Sequence, residues 1–429
     1  MINRFVFVCF LFISFVFSDY ISPVFDRDFS SYAGAENFIS LQRGMEKAED
    51  TLFPSEPISM DDFKKPTQDF FASFIKNTWG RRLRILTVWL PAALSMSVTQ
   101  HEVFGHGYRI RDLGSKYATV KGYRMYVVAG ATRYEATPNL TPSQMLTIGI
   151  AGLEADSILA NRIRARWMRN GRMDSRLATL YAISATSLIG YSLSVHKTPT
   201  SMPTNGNDIS GYLFLLNSTY PNGHVNYKNL RNLSLLGLLD PFLLYSLYCG
   251  SDYALHGTSI PIPMIKIGSV KYLPVARATL TPFGLQGILE NYLLAGTSQT
   301  YAHLRWGQNG SNSYYGLDIE NQKVYECAFA TLGFRLDIWH QPNVLFKNGS
   351  LSAEELIELP KNTPVPQLYP DKVLNEKEFG VLASVIGTIG KASWPARPCY
   401  ELGYKTKGYI PGEALRQAPI IRLGLAGNF

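Results

Sequence analysis

Two histidines and a glutamate stand together in "SVTQHEVFGHGYRIRDLG" (97–114), in the order His101-Glu102-x-x-x-His106. Imidazole nitrogens bind zinc, and a nearby carboxylate can take a proton from water held on the metal. That chemistry needs about three protein ligands, one open coordination position and the carboxylate base. The spacing poses a geometric problem. On a regular α-helix residues four apart share a face, whereas residues five apart are rotated by about 140°. His101 and His106 therefore diverge unless the helix is distorted. A π-bulge absorbs one extra residue, and such bulges recur at functional sites. Gly105, just before His106, is where a distortion costs least.

A third ligand has to arrive from elsewhere in the chain. The apolar run "AGLEADSILA" (151–160) carries Glu154 and Asp156, and the turn-like "PTNGNDISGY" (203–212) carries Asp208. A buried carboxylate needs a partner, which a metal supplies. Other partners are available: Arg162, Arg164 or Arg166 for Glu154 and Asp156, and a helix N-terminus for Asp208. Sequence alone leaves these alternatives open.

The segment "HEVFGH" resembles the "HExxGH" form of the dipeptidyl-peptidase III family, in which the longer spacing binds zinc. In gluzincins a glutamate from a following helix completes the site, which would make Glu154 the third ligand. The order of motifs also resembles the membrane-bound AAA metalloproteases, with "HEAGH", then "GGRAAE" on a helix, then "GxxND". That resemblance implies His101, His106 and Asp208 as ligands, Glu102 as the base, and Glu154 as a partner orienting a histidine. Site-2 proteases also place a late aspartate after a proline, as Pro203 and Asp208 do here. Each resemblance implies a zinc metallopeptidase with Zn2+ as cofactor and a peptide or protein as substrate.

These residues fall in a stretch with helical patterning, 81–256, built from long apolar runs such as 85–100, 142–163, 177–195 and 233–250. The uncharged run 177–195 is near the length needed to cross a bilayer, and it equally suits a buried core helix. Residues 19–80 are mixed and polar and read as a surface arm with a short helix or two. From 264 to 429 the period changes to two. In "TLGFRLDIW" (331–339), Leu332, Phe334, Leu336 and Ile338 share one face, and Arg335 and Asp337 share the other. The expected architecture is α+β: an all-helical, zincin-like domain, then an antiparallel β domain forming a small barrel or sheet of about eight strands. Large apolar residues alternating with small or polar ones suit a lipid-facing barrel, although a sheet packed on a helical layer alternates in the same way. The final Phe429 resembles the terminal aromatic of bacterial outer-membrane barrels.

Residues 1–18 read as a signal peptide: Arg4, then the apolar "FVFVCFLFISFVF" (5–17), too short to span. After its removal Cys249, Cys327 and Cys399 remain, with no zinc-ribbon spacing. Of the 429 residues, 46% are hydrophobic and only 17% charged, which leans toward a membrane or envelope protein. The formal charge of +8 is not gathered into a basic tract with stacking aromatics, which argues against nucleic-acid binding. The expectation is an exported, envelope-associated zinc hydrolase acting on a peptide or another envelope amide, with membrane lipid as a neighbour. The rival is an outer-membrane structural or pore protein whose helices form a non-catalytic module.

Overall fold

The structure, a computed structural model, describes residues 19–21, 23–53, 78–203, 206–256, 260–296, 298–361, 363–391 and 393–428. The expected signal peptide, 1–18, and Phe429 lie outside the described residues.

Helix α1 (Ser31–Leu52) starts on Ser30, whose hydroxyl accepts from the Ala33 amide. Helices α2 (Thr78–Arg84) and α3 (Leu90–Thr99) flank one π turn, and a second π turn, Gln100–His106, leads into α4 (Gly107–Leu113). The longest helix, α5 (Pro142–Asn170), begins with a reciprocal cap between Thr141 and Gln144 and ends where Gly171 turns left-handed at φ 65°. Both signals are what a helix of this length needs at its ends. Helix α6 (Ser175–Leu193) is capped by Asp174 and α7 (Asp208–Thr219) by Asn207. Helix α8 (Tyr227–Ser234), a 3₁₀ turn (Leu235–Leu239) and α9 (Pro241–His256) complete the helical layer.

Contrary to the all-helical expectation, this layer contains strands. Strands β3 (Ala118–Met125) and β4 (Gly130–Ala136) form a hairpin between α4 and α5, and the two-residue strands β5 (Arg172–Met173) and β6 (Ile260–Pro261) pair with each other. The arm also departs from expectation. Its α1 is long and packs with Phe38 and Ile39 in the same core as Leu159 and Ile163 of α5. Ahead of it, β1 (Asp19–Ile21) and β2 (Val24–Asp26) both pair with β15 (Ala418–Asn428).

The C-terminal segment forms, together with β1 and β2 and among the described residues, one eleven-stranded antiparallel sheet. Its order runs from β1 through β15, β14 (Ala396–Lys405), β13 (Lys377–Ile389), β12 (Ala330–Pro342), β11 (Asn312–Cys327), β10 (Ser298–Asn309), β9 (Gly284–Ala295) and β8 (Val270–Thr281) to β7 (Ile265–Ile267). The sheet does not close, so the expected barrel is an open sheet. Its edge strands are three residues long, and β8 contacts α5, α8 and the 3₁₀ turn. Among the described residues no single helix is long and apolar enough to cross a membrane, 177–195 included. One pair, Tyr227–Leu239 and Pro241–Ala254, is long and apolar enough when taken together, with a 54° bend between them.

Candidate metal centre

The distortion that the histidine spacing demands is present. Residues Gln100–His106 form a π turn, and the Gly107 amide donates five residues back to the Glu102 carbonyl. A wider turn brings positions five apart toward one face. The rings of His101 and His106 meet edge to face, with centroids 5.0 Å apart. Small residues make room for this turn against α5. A Cβ on Gly105 would lie 2.6 Å from the Ala151 carbonyl oxygen, and one on Gly152 would overlap the His101 ring.

Asp208 reaches both rings. Its Oδ2 is 2.9 Å from His101 Nε2 and 3.3 Å from His106 Nε2. Asn207 caps α7 by accepting from the Ser210 amide, so Asp208 is the first helical residue and its carboxylate is free to turn inward. The ligand atoms of His101, His106 and Asp208 lie within 4.8 Å of one another, and this group can hold a metal ion.

The far sides of the rings are fixed. His101 Nδ1 donates to Asp156 Oδ2 at 2.9 Å, and Ser187 Oγ donates to the same oxygen at 2.6 Å. His106 Nδ1 donates to the Ile148 carbonyl at 2.7 Å. A carbonyl only accepts, so His106 Nδ1 keeps its hydrogen and presents Nε2 to the centre. This is how metal-binding histidines are usually oriented. Burial works against protonating either ring. Around His101 the carboxylates of Asp156 and Asp208 outweigh it and hold the pKa well above the ordinary value. His106 is raised chiefly by Asp208. Burial would raise Asp208, but the two imidazoles reverse this and hold its carboxyl well below the usual range. These shifts favour protons on the Nε2 positions beside the Asp208 carboxylate. A divalent cation would compete with protons there, and two imidazole nitrogens with one carboxylate are a donor set that zinc accepts.

Glu102 adjoins this centre. The Thr132 hydroxyl of β4 lies 2.7 Å from Glu102 Oε2, and a Cβ on Gly130 would come within 2.5 Å of Glu102 Cγ. The hairpin thus clamps the side chain that sequence marked as the base. Tyr191 of α6 stacks on His101 at 5.3 Å, with its hydroxyl 3.3 Å from His101 Nε2. Burial pushes that phenol's pKa upward, with Asp208 adding to the shift.

Glu154, the alternative ligand and expected orienting partner, is elsewhere. It accepts from Arg109 Nη2 at 2.8 Å, from the Tyr409 hydroxyl at 2.9 Å and from the Gly412 amide. Asp156 takes the orienting role instead. Two positions along a helix are about 200° apart, so only one of this pair can face the histidines. Arg162 and Arg164 do not pair with either carboxylate. They bridge α5 to the sheet through Glu320 and Glu290. Sequence reasoning missed Tyr191, Thr132, Gly152 and the Ile148 carbonyl. Gly152 left only a weak signal, as one of several small residues (Gly149, Ala151, Ala155) in the apolar run. No known protein-family model, no curated protein and no solved structure matches the chain.

Proposed function

We propose that this protein is an exported, envelope-associated, metal-dependent hydrolase, with zinc as its metal and a peptide or another envelope amide as its substrate. The observation that carries this reading is the convergence of His101 Nε2 and His106 Nε2 on Asp208, with Glu102 next in sequence to the first histidine. Bound zinc polarises a carbonyl and lowers the pKa of bound water to about 7.

The protein's own groups divide the remaining work. Asp156 and the Ile148 carbonyl hold the two rings in the orientation that presents Nε2. Thr132 occupies Glu102 Oε2, which leaves Oε1 to accept a proton and pass it to the leaving amine. The Tyr191 hydroxyl, at the edge of the centre, donates to negative charge developing on the substrate oxygen.

The test is metal content and amide hydrolysis in the purified chain and two variants. Wild type should carry about one zinc and hydrolyse a peptide library or peptidoglycan fragments. His106→Ala should lose the metal, and Glu102→Gln should keep it while losing at least about a hundredfold in rate. Absence of metal from the wild type after zinc loading, or full activity in Glu102→Gln, refutes the reading.

A further inference from the structure

The two faces of the sheet differ sharply in polarity. Its inner face buries charge: Glu290, Arg305, Asp337, Glu401 and Arg422 are each at most 4% exposed. They are joined by ion pairs such as Arg164–Glu290, Arg335–Asp337 and Arg422–Glu401. A cavity of about 110 Å³ between α5 and this face is lined by Asn161, Arg162, Arg277, Asp318 and Glu320 among others.

Apart from a polar group of Ser298, Thr300 and Asn321, the outer face is apolar and exposed or half-buried, and its residues fall into rows across the strands. Leu304, Leu317, Ile338 and Val381 pair in one row. Phe334, Val385, Leu402 and Ile421 pair in another. Aromatic residues stand at both ends of this aliphatic band. Trp306, Tyr315, His340 and Phe379 form one terminal row. Tyr325 and Tyr400 lie in the row at the other end, with Phe329 and Trp394 in the turns beyond. From His340 to Leu332 is about 27 Å along the strand at ~3.4 Å per residue.

The apolar surface continues beyond the sheet. The 3₁₀ turn touches β8, and there Leu235, Leu236, Leu238 and Leu239 are exposed. The ridge runs on to Leu244, Leu247 and Tyr248 of α9, in the bent pair long enough to cross a bilayer. These large apolar side chains stand close together and exposed, in contrast with the singly scattered apolar residues that are ordinary on a soluble surface.

We infer that the outer face of the sheet and the leucine ridge form one belt seated in the hydrocarbon of a lipid bilayer. An aliphatic band edged by aromatics around a charged interior is the pattern that lipid on the outside and polar contacts on the inside require. The belt also locates the metal centre. Helix α6 turns Ser187 and Tyr191 toward the histidines and packs against α9 and the 3₁₀ turn. The centre is therefore separated from the ridge by one helix, about 10 Å of packing distance. Membrane-borne amides are thus the substrate class within its reach. The substrate assignment rests on the hydrolase reading, whereas the belt does not.

Flotation of the full-length chain with phosphatidylcholine vesicles, after a carbonate wash and in molar salt, tests the belt. Wild type and His106→Ala should both float, which separates membrane seating from metal binding. Phe334→Arg combined with Ile421→Arg should cut the floated fraction at least about tenfold, because arginine is costly at hydrocarbon depth. The matched alanine pair should float, and both pairs should keep the wild-type circular-dichroism spectrum and melting temperature as evidence of folding. A second measurement needs no disruptive variant. Lipids brominated on the acyl chain should quench wild-type fluorescence more than that of Trp306→Phe. Equal quenching, or flotation unaffected by the arginines, overturns the inference. So does a water-soluble dimer that the arginine pair breaks, because a second copy would then cover the face.

Discussion

Both histidines of the centre are held by a contact on the far side of the ring, and His101 shows most directly what such a contact does. Its Nδ1 donates to Asp156, which is held in turn by Ser187, while Tyr191 stacks on the ring. Removing Asp156 leaves the tautomer and tilt of His101 unset. Asp156→Ala should weaken zinc binding about 10–100-fold, measured by competition with a chromophoric chelator, while His106 and Asp208 remain in place. An unchanged affinity would show that the stacked Tyr191 alone orients the ring. At this scale the sequence was informative about type and poor about pairing. His101, Glu102, His106 and Asp208 were legible because metal chemistry needs those residue types. Asp156 and Glu154 were both visible, but their roles depend on the rotation of α5, which polar spacing in an apolar run does not reveal. Tyr191 was hidden because a tyrosine in a long apolar helix reads as packing.

Helices fix these side chains through their ends and small residues. The π turn was legible because five-residue spacing has few other geometric solutions, and Gly105 and Gly152 supply the close approach it needs. Helix α1 was not legible, since its apolar positions are interrupted by Gln42, Glu46 and Glu49, all buried. Glu46 makes a specific pH prediction. Burial, then the neighbouring Asp174 carboxylate, raises its pKa from 4.5 to about 8, against the opposing pull of Arg43 and Arg176. The folded protein therefore holds a proton that the unfolded chain releases, and stability falls as pH rises from about 4.5 to 8. Glu46→Gln keeps the neutral form at all pH values. Its melting temperature should lose that decline across the window, and a parallel decline in wild type and variant would show that Glu46 does not cause it.

Across the whole molecule, the alternation of the C-terminal strands was legible, and the polarity of the two faces followed from it. Closure was not legible, because it depends on whether the edge strands meet. Here they are short, and helical elements pack beside β8. The helical layer and the sheet are joined at Glu154, which ties α5 to Arg109 of α4 and to the loop between β14 and β15. Glu154→Ala would leave Arg109, fully buried, with Asp112 as its one remaining carboxylate ion-pair partner among the described residues. A loss of about 3 kcal/mol in unfolding free energy is expected, from the denaturation midpoint and slope. A loss below about 1 kcal/mol would show that Asp112 suffices. The same loop sets an order of events during synthesis. Arg109 donates to the Glu413 carbonyl, 304 positions later in the chain. Leu415 donates back to Asp112. A nascent chain therefore has both histidines and Asp208 long before the loop that braces α4 and α5 leaves the ribosome. Chains stopped before residue 406 should bind zinc weakly, in pulse-labelled translation products captured on chelating resin, despite holding every ligand. On the hydrolase reading, that dependence keeps the activity silent until the sheet is complete.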